Sequence, residues 1–459
     1  MTTKSDLGSV EKIMKIKLSD HFNYRRLFRF VLPSIFMILC TSVYSIVDGF
    51  FVSNYVGKTA FAAVNLIMPV LMGVATLGFM VGTGGSALVS KTMGEGKREL
   101  ANRYFSMLIY AAAAGGAVIS AVCFVFAEAI ARALGAEGEL LANCVIYSRI
   151  LFVSMPLFIL QYAFQSFFVA AERPDLSLKI NILAGIINAV LDYVLIAVFP
   201  MGLAGAAIAT AAGQLLGGIA PLVFFVGKNK SLLRLVKTKF YGRALWDACV
   251  NGSSEMVTNL STSVVSVLYN FQLMHLAGEN GVAAYGVIMY INIMFMAIFL
   301  GYSLGSAPIV SYHYGAGNTE ELKNLFRKSV TLLAVSGVVL LAASQLLARP
   351  LVTIFAGYDT ELLEFTVHGF RIYSVAFLVM GVNVWGSSFF TALNNGFVSA
   401  AISFLRTLVF QIVIVALLPG LIGVDGIWLS IVAAELLALF VTGMFLLTKE
   451  KTYHYLCTE

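Results

Sequence analysis

Charge is what this chain has least of. Only 12% of its 459 residues are Asp, Glu, Lys or Arg, while 59% are hydrophobic, and the mean hydropathy is +0.88. A soluble domain carries about 25% charged residues, so a water-solvated globule is excluded and the solvent must be largely lipid. Cysteine is equally sparse. The five (Cys40, Cys123, Cys144, Cys249, Cys457) stand singly, with no CxxC, which excludes a disulfide framework or a cysteine metal site. The five histidines (His21, His275, His313, His368, His454) show no metal-ligand spacing. No GxxxxGK[ST] occurs, and GEGKRE at 94–99 reads as a polar loop between spans. ATP-driven transport is therefore excluded, and no cofactor is expected. The basic N-terminus lacks a short apolar core with a small-residue cleavage site, so the first apolar run is expected to be retained.

What the chain does have is long apolar runs. Twelve can each cross about 30 Å of hydrocarbon, near 27–52, 60–88, 105–127, 143–169, 178–199, 203–226, 245–275, 281–309, 329–348, 365–391, 397–419 and 423–447. Lysine and arginine fix their orientation. Seven basic residues precede the first run, and further clusters follow the second, fourth, sixth, eighth and twelfth. The odd-numbered connections and their margins hold Lys58, Arg132 and Arg349 alone. Both termini are expected to be cytoplasmic. This dispersal also accounts for the +6 net charge without nucleic acid.

The chain also says nearly the same thing twice. LCTSVYSIVDGFFVSNYVG (39–57) returns as LSTSVVSVLYNFQLMHLAG (260–278), 221 positions later. Gly84 falls on Gly305, and Gly94 on Gly315. At offset 222, Arg149-Ile150 falls on Arg371-Ile372. Repeats of half a molecule are how many transporters are built, with the substrate between the halves. Six spans per half imply parallel repeats. The expected architecture is an all-α integral membrane protein of twelve helices, in two pseudo-symmetric six-helix lobes around a central cleft. Its expected parts are a cytoplasmic segment 1–26, an N-lobe 27–226, a linker 227–244, a C-lobe 245–447 and a tail 448–459. The basic linker reads either as an amphipathic strap or as a solvated loop. Pro33, Pro69, Pro156 and Pro308 lie inside spans, where they kink the helix or free backbone groups. Pro33 is the expected hinge, with packing adaptation as the alternative.

Acids within spans are costly and mark function by default. Asp48 lies in SIVDGFF, and Asp192 in INAVLDYVLI with Asn188 one turn before it on the same face. Carboxylate beside amide oxygen suits Na⁺ or a held proton. The alternative is a helix-end acid, or one paired with an arginine. Glu255, in NGSSEMVTN, is expected either to contact a cationic substrate or to cap a helix beginning at Ser253 or Ser254. Glu435, which matches Gln214 in the repeat, is expected either to titrate or to pair with Arg406. Gln161 and Asn383 join Glu255 and Glu435 as expected substrate contacts. The copies differ where it matters, because Tyr269 stands in the repeat position of Asp48.

Over all twelve spans the chain resembles the multidrug and toxic compound extrusion (MATE) transporters. The residues that carry the likeness are VLPSIFMILCTSVYSIVDGFFV (31–52), AERPDLSLKINILAGIINAVLDYVLI (171–196), GLAGAAIATAAGQ (202–214) and GSAPIVSYHYGAGNTEELK (305–323). GSSE at 252–255 and the SYHYGAGN stretch look more like the bacterial MepA-type branch than the NorM branch. The resemblance implies an N-lobe cation site of Asp48, Asn188, Asp192, Thr210 and Tyr147, taking H⁺ or Na⁺. It departs in LVMGVNVWGSS (378–388), which lacks the acid that NorM-like members carry in span ten. The expected function is a cation-coupled antiporter, not an enzyme, in a bacterial cytoplasmic membrane. It would work as a monomer and export amphipathic, cationic drugs or toxic organic cations. The alternatives are a lipid-linked oligosaccharide flippase, which needs several arginines in its cleft, and a non-transporting scaffold.

Overall fold

The structure, a computed structural model, describes residues 16–227, 229, 231–357 and 359–456. Lys4, Lys12, Lys15, Lys228, Lys230 and Cys457 lie outside the described residues, as does the side chain of Lys58. Among the described residues the chain is helical, with no strand. Lipid explains why: it offers no hydrogen bonds, so each spanning backbone must satisfy its own polar groups.

Eleven helical stretches are long and apolar enough to cross a membrane. Ten hold one span each. The first six are Tyr24–Phe51, Lys58–Gly94, Arg98–Val125, Gly138–Ala170, Pro174–Val198 and Gly202–Val226. The last four are Thr319–Ala356, Thr360–Ala392, Gly396–Ile422 and Val424–Tyr453. The other stretch, Gly242–Gly315, has 74 residues, about 110 Å at 1.5 Å per residue and far too long for one crossing. Its backbone breaks at Gly278, at φ 62° and ψ −150°, a conformation that glycine adopts at little cost. It therefore holds span seven (242–277) and span eight (279–315), which makes twelve. In the first copy Gly57, at φ 116°, makes the equivalent break between spans one and two.

The halves meet along spans one and two on one side and seven and eight on the other. Small residues let these backbones touch. A Cβ on Gly84 would strike the carbonyl of Ala248 and the backbone of Gly252, and one on Gly305 would strike Val31. Likewise Gly94 packs on the Tyr312 carbonyl, and Gly315 on the Lys91 carbonyl. These contacts exchange under the 221-residue repeat, so the seal is two-fold symmetric. It lies at the end of the bundle that carries the basic clusters. Pro33 lies inside span one within this seal, between Val31 and Ile35, on which Gly305 and Gly301 pack.

The segment before span one ties the halves together at the same end. The Leu18 amide donates to Glu172 Oε1 (2.8 Å), at the end of span four. Four residues later the Phe22 amide donates to Glu321 Oε1 (2.9 Å), at the start of span nine, and Lys328 donates to the Phe22 carbonyl (2.6 Å). The basic linker is neither a helix nor a free loop. Residues 233–241, in neither helix nor strand, pack along span three. The Arg234 amide donates to Asn102 Oδ1 and the Val236 amide to Ser106 Oγ (both 2.8 Å), and Leu233 is fully buried.

Candidate functional site

Three adjoining cavities follow the lobes. The first, about 640 Å³, lies within the first half and is lined by Tyr44, Asp48, Gln161, Tyr162, Asn188, Thr210 and Gln214, among others. The second, about 1080 Å³, lies between the halves and shares Tyr162 with the first. The third, about 1210 Å³, lies in the second half and shares Ile38, Thr258, Asn259, Leu300 and Val384 with the second.

In the first cavity, spans one, five and six bring the acids together. Span six approaches closely because its inner face is small: a Cβ on Gly213 would press on the Ala184 carbonyl and on Asn188. Thr210, one turn earlier, thereby reaches Asp48 and donates to Oδ1 (3.2 Å). The Asp48 carboxyl also meets the side chains of Asp192 and Asn188. Both Asp192 oxygens are buried with no hydrogen-bond partner among the described residues, and so is Asn188 Oδ1. The Tyr147 hydroxyl, beside both acids, is buried without a partner too. Sequence alone left open an arginine partner for either acid. Among the described residues neither Asp48 nor Asp192 has a salt bridge. The helical hydrogen bonding widens to i→i+5 directly after Asp192, at Tyr193–Val198, and four residues after Asp48, at Val52–Val56. Such widened turns concentrate at functional sites.

Acceptors without donors are chemically specific. An unmatched buried polar group costs about 1–3 kcal/mol, and more when charged. A site with surplus acceptor oxygens and no basic neighbour is completed by something that brings positive charge. The carboxylates, the amide oxygen and the hydroxyl are hard ligands of the kind a small cation takes.

Gln161 lines the first cavity, and its Oε1 is buried without a partner. Glu255 lines the cavity between the halves. The capping alternative for Glu255 fails, because the helix begins at Gly242 and runs through this residue without interruption.

In the second half the residues at the matching position pair with one another, while Asn292 Oδ1 and Asn383 Oδ1 are buried with no partner among the described residues. At the repeat position of Asp48, the Tyr269 hydroxyl donates to Gln411 Oε1 (2.9 Å). Gln411 stands just after span eleven widens at Leu405–Val409. Gln411 is one of few polar residues in that span, and the intramembrane-polarity rule flags it. Of the two readings of Glu435, pairing is the one found. Arg406 Nε donates to Glu435 Oε1 (2.8 Å) and Oε2 (3.1 Å), and Asn383 Nδ2 donates to Oε2 (2.7 Å).

Comparison with known proteins bears on the family and the fold. The MatE family model matches twice, over residues 33–194 and 256–417. The multidrug export protein MepA of Staphylococcus aureus (strain MSSA476) is 24% identical over 420 residues, covering 91% of this chain and 92% of that protein. A crystal structure of MATE in complex with MaL6 superposes with a TM-score of 0.90 at 20% identity, covering 95% of this chain and 98% of that one. The outward-facing conformation of a multidrug resistance MATE family transporter of the MOP superfamily gives 0.88 at 21% identity, covering 94% and 97%.

Proposed function

The chain belongs to the MatE family, a family of membrane transporters and not enzymes, and from that premise we propose that it is a cation-coupled multidrug antiporter. It exports amphipathic small molecules from a bacterial cytoplasm through the cytoplasmic membrane. The observation that carries the coupling is the Asp48–Asp192 contact, together with the unpartnered oxygens of Asp192 and Asn188. Two carboxylates in a dry site repel unless a proton or a cation lies between them. The N-terminal lobe therefore takes up H⁺ or Na⁺ from the outside. Occupancy draws spans one, five and six together around the ion, with the widened turns at Val52–Val56 and Tyr193–Val198 absorbing the change. The adjoining drug cavity is reshaped, and the drug leaves.

Return to the other state comes from rocking one lobe against the other. Basic residues gather at the sealed end, which by the charge rule is the cytoplasmic one. The glycine contacts there support a state closed to the cytoplasm, with both chain termini on that side. A flippase cleft lined by several arginines is not favoured. Arg406 is the one span arginine that lines any of the three cavities. The test is export of a fluorescent cationic dye from vesicles holding the purified protein, with a pH gradient or a Na⁺ gradient imposed. Accelerated export under one of them is the expected result; export indifferent to both removes the coupling.

A further inference from the structure

The third cavity contains a cation that its own partner only half satisfies. Arg406 is 9% exposed at its side chain and Glu435 2%, and both line the third cavity. Glu435 accepts from Arg406 Nε with both oxygens and from Asn383 Nδ2 with one. That contact uses one of the five guanidinium N–H groups. Neither Nη of Arg406 has an acceptor among the described residues. A guanidinium edge with two free nitrogens matches a carboxylate in two parallel hydrogen bonds. Around it the wall is aromatic and thioether: Tyr269 and Tyr285 stack at 5.1 Å, and Tyr373, Met289 and Met380 complete the lining.

We propose that Arg406 forms an anion subsite in the C-terminal lobe that takes the carboxylate of an aromatic, drug-sized acid. The ring lies on the Tyr285 and Tyr373 walls while the carboxylate docks on the Nη edge. Glu435 lines the same cavity, but its oxygens already accept from Arg406 Nε and Asn383 Nδ2, which leaves the Nη edge for the incoming carboxylate. The cavity's accessible volume of about 380 Å³ falls within the roughly 300–1,000 Å³ of drug-sized sites. The subsite admits acids that a pocket selecting cations alone would reject. It rests on the export reading only in treating this cavity as a substrate chamber.

The test is binding of dansyl-phenylalanine and of its carboxamide, read by dansyl fluorescence on the purified full chain in detergent. The carboxamide keeps shape and rings and loses the charge. Wild type is expected to bind the acid at least about tenfold more tightly, the value of one charge-assisted bidentate contact. In R406Q/E435Q, a neutral pair of similar size, acid and amide should bind alike, with the amide's affinity unchanged. R406K, which keeps the charge and loses the fork, should fall between. Equal binding of acid and amide to wild type would overturn the subsite whether or not the variants fold. So would an acid preference that persists in R406Q/E435Q. A quaternary-ammonium dye titrated in parallel separates the two readings. If the dye binds and the acid shows no preference, the subsite fails alone; if the dye does not bind wild type, the export reading fails with it.

Discussion

In the first half, Asp48 faces a second acid, Asp192, and the two leave buried oxygens with no donor. In the second half Tyr269, at the same repeat position, donates to Gln411 and closes its own hydrogen bond. At this one repeat position the first lobe is left incomplete and the second is paired, although the second lobe has buried acceptors without donors elsewhere, Asn292 Oδ1 and Asn383 Oδ1 among them. Completed polar clusters rigidify a core, while incomplete ones invite a ligand. The asymmetry is confined to the ion chemistry, because the seal between the lobes keeps the repeat's two-fold symmetry, Gly84 against Gly252 and Gly305 against Val31. A symmetric frame with one loaded lobe can rock as a whole and still be driven from one side.

The sharpest way to break the comparison is to make the first lobe complete. Asp48→Asn with Asp192→Asn removes the carboxyl repulsion. Driven dye export should fall by about 5–150-fold, the range of a typical coupling free energy. The apparent melting temperature in detergent should rise, since neutral replacement of a buried charged group is often stabilising by about 1–4 kcal/mol. Unchanged export, or a lower melting temperature, would count against the acid pair as the loaded element.

Next come the seals. Gly84→Val and Gly305→Val each overpack a backbone contact, at about 1–3 kcal/mol. Thiol labelling of cysteines placed along the cleft should show both variants opened from the basic end, to the same extent. Unequal opening would mean that the seal is not two-fold symmetric. A smaller effect is expected in the second lobe. Tyr269→Phe leaves Gln411 Oε1 without its donor and should cost about 1–3 kcal/mol of stability, read as a lower melting temperature. The smallest concerns the segment before span one. Glu321→Gln keeps the shape but weakens the grip on the Phe22 amide and on His21 (2.6 Å). A charge-assisted hydrogen bond is roughly twice a neutral one, so a loss of about 1 kcal/mol and faster proteolysis of that segment are expected.

Much of this frame is legible in the residues. Apolar runs give the span count, and the constant 221-residue offset carries the symmetry of the seal, down to Gly94 and Gly315. Asp48, Asn188 and Asp192 stand out because acids and amides are rare in lipid-facing sequence, whereas Thr210 and Tyr147 enter only through the family resemblance. Partnership is what the chain conceals. Glu435 beside Arg406 and Glu435 titrating alone read identically until spans eleven and twelve are packed, since 29 positions separate the two. The Tyr269–Gln411 pairing is hidden in the same way, since 142 positions separate the two. Glu255 looked like a cap because its serines resemble a helix start, whereas the helix begins at Gly242.

The most direct test pairs Asp192→Asn with Tyr269→Phe in vesicles, with dye export measured under the gradient that drives wild type. If the first lobe alone couples, Asp192→Asn exports no faster with the gradient than without it. Tyr269→Phe keeps its acceleration. Full acceleration in Asp192→Asn, or its loss in Tyr269→Phe, would contradict the assignment of the ion to the first lobe.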